Sequence, residues 1–343
     1  MYRCKYVILH LPAVITLAVI SLAVSVALAS GTGQNTKLEI AHSLGTPPQR
    51  CVRNRITDVK VISHSKLDGA KLFRVRFQNC VGQVSVLLGI PQYSNIRAPA
   101  VVALPQTSKF GAAEIFGLDG DQALAFGRVF LRAGFVVVAP DTFLSGENYD
   151  PKQDWDTTLF YKKFPNWSAM GRMLRDNESV INLLSKLGRK PSCIAAVGHS
   201  LGGHNALFLA AFDKRINVVV SSGGFELIAT DDNAERWARK SGFVYMPALR
   251  PYVTGPAPHQ VPWDFDDVIH TIFPRPIMIV HGGHDPIWTH ANSVNDMTRQ
   301  IKDFYKKAGI ADRFEDYYFE GGHKFPVSAI TKSISFVEKE CGV

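Results

Sequence analysis

The segment AAVGHSLGGHNAL, residues 195–207, places one serine between glycines, where an apolar run meets a run rich in alanine and leucine. Its centre, GHSLG at 198–202, is a G-x-S-x-G pentapeptide. In this pattern a sharp strand-to-helix turn projects the serine hydroxyl above a sheet, and glycines at the flanking positions avoid steric collision. The segment therefore predicts a buried strand, a tight turn at Ser200 and a following helix.

Five continuous apolar runs predict the centre of the sheet. They are APAVVAL (98–104), GFVVVAP (134–140), CIAAVGH (193–199), INVVVSS (216–222) and PIMIVHG (276–282). Continuous apolar strands are typical of a parallel sheet that is buried on both faces, and helix-like segments lie between them. The earlier runs RITDVKVIS, KLFRVRFQ and QVSVLLGI alternate apolar and polar residues. We therefore expect an α/β fold with a mostly parallel, doubly wound sheet, antiparallel N-terminal edge strands and helices on both faces.

The first thirty residues differ from the rest of the chain. A positive start, MYRCK, precedes a long uncharged apolar run that ends in Ala27-Leu28-Ala29, an A-x-A cleavage pattern. The run is also close to the length that spans a bilayer. We interpret it as a signal peptide or an uncleaved membrane anchor, and the protein as exported, periplasmic or secreted. The predicted organisation is a signal or anchor at 1–29, a lead-in linker at 30–50, and a single domain at 51–343 with inserts near 142–168 and 225–268.

Charge and cysteine content narrow the class of protein. The formal net charge is +8, but the positive residues are scattered, which is typical of a solvated surface and not of a nucleic-acid tail.

Four cysteines follow the apolar segment, and an even number permits disulfides in an oxidising compartment. They are Cys51, Cys80, Cys193 and Cys341. Of the three pairings, Cys51–Cys80 is preferred because both residues flank the same antiparallel strands; no zinc-type spacing occurs, so no metal is predicted.

A serine nucleophile needs a base, and that base needs an orienting acid. Where the serine lies on such a turn, the chain order is serine, acid, histidine. Asp285 follows the apolar run PIMIVHG, and His323 lies in the glycine-rich loop of YYFEGGHKFP. Both follow strands, at the edge of an open α/β sheet where ligands bind. We therefore predict Ser200 as nucleophile, Asp285 as acid and His323 as base.

Other acids and histidines fit these roles less well. Asp264, Asp266 and Asp267 lie in a segment without a preceding buried strand. His199 and His204 are too close to the serine in sequence, and His281 and His284 flank the acid loop.

An oxyanion hole needs two backbone N–H donors. Leu201, directly after the serine, supplies one. The other is expected from the loop after APAVVAL, where Pro105 has no N–H, which leaves Gln106 or Thr107. Gln106 is the preferred donor.

These segments carry a resemblance to a known family. GLDGDQALAFGRVFLRAGFVVVAPD, GHSLGGHNALFLAAFDKRINVVVSSGGF, PWDFDDVIHTIFPRPIMIVHGGHD and GGHKFP lie within residues 98–326. In them the chain resembles α/β-hydrolases of the dienelactone-hydrolase and acetyl-xylan-esterase-like group. The resemblance implies the α/β-hydrolase fold, a Ser200–Asp285–His323 triad and ester hydrolysis through an acyl-enzyme, without a cofactor. Many relatives carry His-Gly in place of Pro105-Gln106, and dienelactone hydrolases proper use cysteine as nucleophile, which favours ordinary esters here.

The two inserts are the predicted source of the substrate pocket. Both inserts are rich in aromatic residues, and Trp155 and Trp263 are the predicted pocket residues. The expected partner is a small-molecule or polysaccharide-linked ester, with no nucleic acid, and with membrane contact only through an uncleaved N-terminus. Two alternatives stay open. A prolyl-oligopeptidase-like serine peptidase is disfavoured because too few residues precede the core strands for its extra domain, and a catalytically silent binding protein is disfavoured by the intact triad.

Overall fold

The computed structural model describes residues 35–343. Nine strands of this part form one sheet. They are β1 (Thr57–Leu67), β2 (Ala70–Gln78), β3 (Gln83–Ile90), β4 (Ala100–Leu104), β5 (Val136–Pro140), β6 (Ile194–His199), β7 (Val218–Ser222), β8 (Ile277–Gly282) and β9 (Phe314–Phe319).

The strand order across the sheet is β1-β2-β3-β5-β4-β6-β7-β8-β9. The first three pairs in this order, β1-β2, β2-β3 and β3-β5, are antiparallel. All other pairs, from β5-β4 to β8-β9, are parallel. The five strands from β4 to β8 are buried at every residue, because their apolar side chains face helices on both sides of the sheet. The predicted fold class is confirmed.

Helices cover both faces of the sheet. They are α1 (35–44), α2 (Ala112–Ile115), α3 (Phe126–Arg132), α4 (Thr158–Lys163), α5 (Ala169–Lys186), α6 (Leu201–Phe212), α7 (Phe265–Ile272), α8 (Ala291–Lys307) and α9 (Val327–Cys341). Val102 and Leu104 of β4 pack into the apolar core under α5, α6, α7 and α8, whereas Val101 and Ala103 pack into the core under α2, α3 and α9. The chain continues from β4 to β5 on one side and then returns to β6 on the other. The loops after β4 and β6 therefore meet at the switch point where α/β sheets bind ligands.

The segment before β1 is partly helical. Ile40 and Leu44 of α1 are buried in the core, and the Lys37 ammonium donates a hydrogen bond to the Ala211 carbonyl at 2.6 Å. This part of the predicted lead-in linker is thus packed against the domain. The predicted signal peptide or anchor at 1–29 lies outside the described residues. Among the helices of residues 35–343, none is long and apolar enough to cross a membrane.

Two disulfides join distant parts of the chain. Cys51 pairs with Cys80, with Cα atoms 5.0 Å apart, which confirms the preferred pairing. Cys193 pairs with Cys341, with Cα atoms 5.5 Å apart, and so ties the end of α9 to the start of β6.

Candidate active site

Ser200 occupies the turn between β6 and α6. Its backbone has φ +54° and ψ −122°, a region that residues other than glycine rarely adopt. A Cβ atom at Gly198 would lie 2.1 Å from the Gly202 carbonyl oxygen, and one at Gly202 would lie 2.0 Å from the Leu104 carbonyl oxygen. No side chain fits at either position, so the two glycines allow the strand, the helix and the loop after β4 to approach closely. The turn has the shape that the pentapeptide predicts.

Asp285 and His323 form a hydrogen-bonded pair at the ends of β8 and β9. Nδ1 of His323 lies 2.7 Å from Oδ2 of Asp285, and both side chains are largely buried. Oδ1 of Asp285 accepts hydrogen bonds from the backbone N–H groups of Ile287 at 2.8 Å and Trp288 at 3.0 Å. Burial raises the pKa of Asp285, but the His323 contact and these two N–H groups outweigh it and hold the pKa below its ordinary value. A charged carboxylate at Nδ1 fixes the imidazole with Nε2 turned away from it.

The His323 ring packs beside the serine turn. Its centroid lies 4.8 Å from the centroid of the His199 ring, which directly precedes Ser200. A Cβ atom at Gly223 would lie 3.3 Å from Cε1 of His323, and the Ser200 N–H donates to the Ser222 carbonyl at 2.8 Å. Within residues 35–343, Nε2 of His323 is buried and has no hydrogen-bond partner. Nε2 of His323 is therefore available to accept a hydrogen bond from a serine hydroxyl.

His199 supports this arrangement and was not predicted to do so. It is buried, its Nδ1 lies 3.1 Å from the Ser222 hydroxyl, and its ring stacks on Phe325 at 6.2 Å. Burial, together with the neighbouring His323, lowers the pKa of His199 to about 3. A neutral His199 lets a positive charge form on His323 without repulsion. No sequence pattern signals this role, because both partners of His199, Ser222 and Phe325, come from distant segments.

The predicted oxyanion donors lie next to the turn. Leu201 is the first residue of α6, so its N–H has no partner within the helix. The contact of Gly202 with Leu104 and Pro105 brings the loop after β4 against the helix start. In that loop the Gln106 side chain donates a hydrogen bond to Glu114 of α2 at 3.1 Å, which restrains the loop.

The two predicted pocket tryptophans lie in different places. Trp155 packs with Leu201 in one apolar cluster and meets the Phe243 ring edge-on at 5.1 Å, so it lies close to the serine turn. Trp263 is 1% exposed, and its indole N–H donates to the Ser43 hydroxyl at 2.8 Å. Its interpretation as a pocket residue is corrected: Trp263 is a core residue, because its indole is enclosed by Ser43 of α1, Phe208 of α6 and Phe265 of α7.

Four of the competing acids and histidines are engaged elsewhere. Asp264 forms a capping box at the start of α7 with Asp267, so this segment is a helix start and not a plain loop. His204 has its Nδ1 2.8 Å from the Gly224 carbonyl, and burial lowers its pKa to about 4. His281 pairs with Asp316 at 2.9 Å.

The contacts of Trp288, in the loop that carries Asp285, were also not predicted. The Trp288 indole N–H donates to the Gly223 carbonyl at 2.6 Å, and its ring stacks on Trp237 at 5.5 Å. The Arg236 guanidinium lies over the Trp288 ring, 5.0 Å from its centroid. These contacts fix the backbone whose N–H groups hold Asp285. Among residues 35–343, no group of three or more potential ligands is placed to bind a metal ion.

Comparisons with known proteins agree with this architecture. Residues 84–242 match the dienelactone hydrolase family model, and the resemblance predicted from the sequence is confirmed. A provisionally assigned hydrolase, YtaP of Bacillus subtilis (strain 168), is 26% identical over 236 residues, which are 67% of this chain and 73% of YtaP. A glucuronoyl esterase from Solibacter usitatus has a TM-score of 0.66 at 12% identity, covering 90% of this chain and 91% of that one. A provisionally assigned acetyl xylan esterase from Bacteroides fragilis NCTC 9343 has a TM-score of 0.62 at 19% identity, covering 85% and 75%. The last two likenesses establish the α/β-hydrolase fold.

Proposed function

We propose that the protein is an exported serine hydrolase that cleaves carboxylic esters through a Ser200–His323–Asp285 acyl-enzyme mechanism. The observation that carries the proposal is the 2.7 Å contact between His323 and Asp285 beside a serine held at φ +54°. The family match and the esterases with the same fold support an ester as the substrate. The two disulfides and the apolar N-terminal sequence support export.

Each step follows from the chemistry of the residues. His323 Nε2 accepts the proton of the Ser200 hydroxyl as Oγ attacks the ester carbonyl carbon. The N–H groups of Leu201 and Gln106 hold the resulting oxyanion. The tetrahedral intermediate expels the alcohol, which takes the proton from His323, and an acyl-serine remains. Water, which gives its proton to His323, then attacks the acyl-serine, and the acid is released as Ser200 takes the proton back. Asp285 stabilises the imidazolium during both acylation and deacylation.

The test is hydrolysis of p-nitrophenyl esters, from acetate to decanoate, by the protein and by a Ser200→Ala variant. We expect the substitution to lower kcat/KM by about a thousandfold or more. Ser63→Ala, on the exposed strand β1, is the matched control and retains activity. A fluorophosphonate probe that labels the protein but not Ser200→Ala confirms the nucleophile independently.

The alternatives give different results. Cleavage of peptides without cleavage of esters indicates the peptidase. No hydrolysis and no fluorophosphonate labelling indicates a binding protein, and either outcome refutes the proposal.

A further inference from the structure

Cations that are scattered along the sequence lie together at the edge of the sheet where the parallel strands β4 to β9 begin. We call this the amino-terminal edge, and it lies opposite the edge that carries Ser200. The exposed cations of its loops and helix ends include Arg97, Lys190, Lys214, Lys306, Lys307 and Arg313. None of these cations forms an ion pair within residues 35–343.

Hydrogen bonds between the loops show that these cations share one surface. The Lys190 N–H donates to the Ile96 carbonyl at 2.8 Å, which joins the loops before β6 and β4. The Arg275 guanidinium, before β8, donates to the Ile216 carbonyl, before β7, at 2.7 Å. The Arg313 guanidinium, before β9, donates to the carbonyl of the residue that precedes Arg275 at 3.3 Å. The loops that begin the parallel strands are therefore continuous across the amino-terminal edge.

Carboxylates at this edge compensate only part of the positive charge. Asp213 pairs with Arg215 at 2.5 Å, and Asp312 pairs with Lys339 at 3.2 Å, so both are already neutralised. The cations of the amino-terminal edge outnumber these two carboxylates and those that lie near them, of Glu39, Asp303, Glu338 and Glu340. The edge therefore carries a net positive charge.

Exposed apolar side chains lie among the cations. The side chains of Tyr93 and Ile96, in the loop before β4, are 92% and 58% exposed, and Leu187, after α5, is 38% exposed. The Arg189 guanidinium donates to the Asn95 carbonyl at 2.8 Å, so the two loops that carry these side chains are joined. Tyrosine and aliphatic side chains interleaved with lysine and arginine are typical of protein surfaces that lie at the headgroup level of a bilayer.

The described chain also begins at the amino-terminal edge. In the first turn of α1, the Lys37 ammonium donates to the Ala211 carbonyl at 2.6 Å, at the end of α6. Burial lowers the pKa of Lys37, and the positive charges of Arg275 and Lys214 lower it further. Only residues 30–34 separate α1 from the apolar N-terminal sequence, and five residues span at most about 18 Å. A bilayer that holds the apolar sequence therefore lies close to this edge.

We propose that the amino-terminal edge binds the anionic phospholipid headgroups of a membrane, with Ser200 facing away from the lipid. The unpaired cations match the phosphate groups, and the exposed Tyr93 and Ile96 enter the headgroup layer. A nucleic acid or another soluble polyanion offers no apolar layer for these side chains. The six residues of β6 span about 20 Å, so the lipid leaves the serine turn open to a substrate. This orientation does not depend on the reaction at Ser200.

The test is co-sedimentation with vesicles of phosphatidylglycerol and phosphatidylcholine, compared with vesicles of phosphatidylcholine alone. Residues 30–343 are used because they contain the complete sheet and both of its apolar cores but lack the apolar N-terminal sequence. We expect binding only to the anionic vesicles, and weaker binding as salt is added. Each lysine near an anionic surface contributes about fivefold, so Lys190→Gln/Lys214→Gln/Lys306→Gln is expected to lower the partition coefficient by about a hundredfold.

Two further variants separate charge at this edge from total charge, and lipid from a soluble polyanion. Lys152→Gln/Lys162→Gln/Lys240→Gln removes the same charge from the inserts, at the opposite edge, and is expected to leave vesicle binding unchanged. Tyr93→Ser/Ile96→Ser keeps the charge and is expected to lower vesicle binding by about tenfold, because less apolar surface enters the lipid. Its binding to dextran sulfate, a soluble polyanion, is expected to equal that of the parent.

The same orientation is measured in the full-length protein by reaction of lysines with acetic anhydride. In anionic vesicles we expect Lys190 and Lys214 to react more slowly than Lys152 and Lys162. Equal rates in this assay, or equal vesicle binding by the two triple variants, overturns the proposal. Binding to dextran sulfate without binding to anionic vesicles also overturns it and identifies a soluble polyanion as the partner.

Hydrolysis of p-nitrophenyl acetate separates this proposal from the proposed function. We expect both triple variants to hydrolyse it like the parent protein, which also shows that they are folded. Vesicle binding that depends on Lys190, Lys214 and Lys306 in a protein without esterase activity retains the membrane-binding edge and refutes the proposed reaction. Ester hydrolysis without vesicle binding retains the reaction and refutes the membrane-binding edge.

Discussion

Alanine at Gly202 or at Gly198 places one added methyl group where the serine turn has no room. At Gly202 the new Cβ lies 2.0 Å from the Leu104 carbonyl oxygen, and at Gly198 it lies 2.1 Å from the Gly202 carbonyl oxygen. Ordinary contacts of this kind begin near 3.4 Å. The obstructing atoms belong to the backbone, so they cannot rotate away. The start of α6 must therefore move by more than 1 Å, roughly the whole shortfall.

This movement predicts a loss of both stability and activity. Overpacking in a rigid region costs about 1–3 kcal/mol in the free energy of unfolding. Misplacing a reacting group by about 1 Å costs about a hundredfold in rate, and the Leu201 N–H moves together with Ser200. Gly202→Ala and Gly198→Ala are thus expected to lower kcat/KM by about a hundredfold or more. Urea unfolding and p-nitrophenyl acetate hydrolysis measure the two effects.

Gly322→Ala is the matched control. It adds the same methyl group next to His323, but its nearest neighbours there lie at 3.5 Å and 3.6 Å, which is ordinary contact. We expect this variant to stay close to the parent protein in both assays. If Gly202→Ala and Gly322→Ala behave alike, the close approach at the turn does not control the position of the nucleophile and the reasoning is wrong.

Three further predictions follow from the same contacts. Asp285→Asn is expected to lower kcat by about 10⁴-fold. Because the pKa of Asp285 is lowered in the fold, the charged carboxylate stabilises the folded protein above pH ~4, and this contribution is lost on acidification. The free energies of unfolding of variant and parent, measured with urea, are therefore expected to converge at low pH. The lowered pKa of His199 means that the unfolded chain gains a proton first as the pH falls below ~6.5, so acidification from pH 7 to 5 lowers the parent's melting temperature more than that of His199→Phe. Removing the Cys193–Cys341 disulfide, which spans 148 residues, is expected to cost more unfolding free energy than removing the other, which spans 29, by about 1.5 kcal/mol in urea unfolding.

The parts of the fold that depend on local pattern were predicted well. Each of the five apolar runs contains one buried parallel strand, and the serine turn lies between the predicted strand and helix. These features follow from side-chain burial and steric limits within a few residues. The segments α1, α7 and α9 were not predicted as helices, although α7 begins at a capping box of Asp264 and Asp267 that is visible in the sequence. Trp263 was misassigned because an aromatic residue in an insert lines a pocket or fills a core according to contacts such as that with Ser43, which sequence spacing does not encode.

The same division explains why the chemistry of this protein is easier to predict than its substrate. The three proposed catalytic residues follow β6, β8 and β9, and the parallel sheet alone brings their backbones to one edge. Specificity depends instead on how the inserts at 142–168 and 225–268 fold against each other. Their junction rests on pairs such as Thr157 and Gly242, which are 85 residues apart. Changes of residue in the inserts can therefore alter the proposed substrate specificity while the sheet still places the three proposed catalytic residues at one edge.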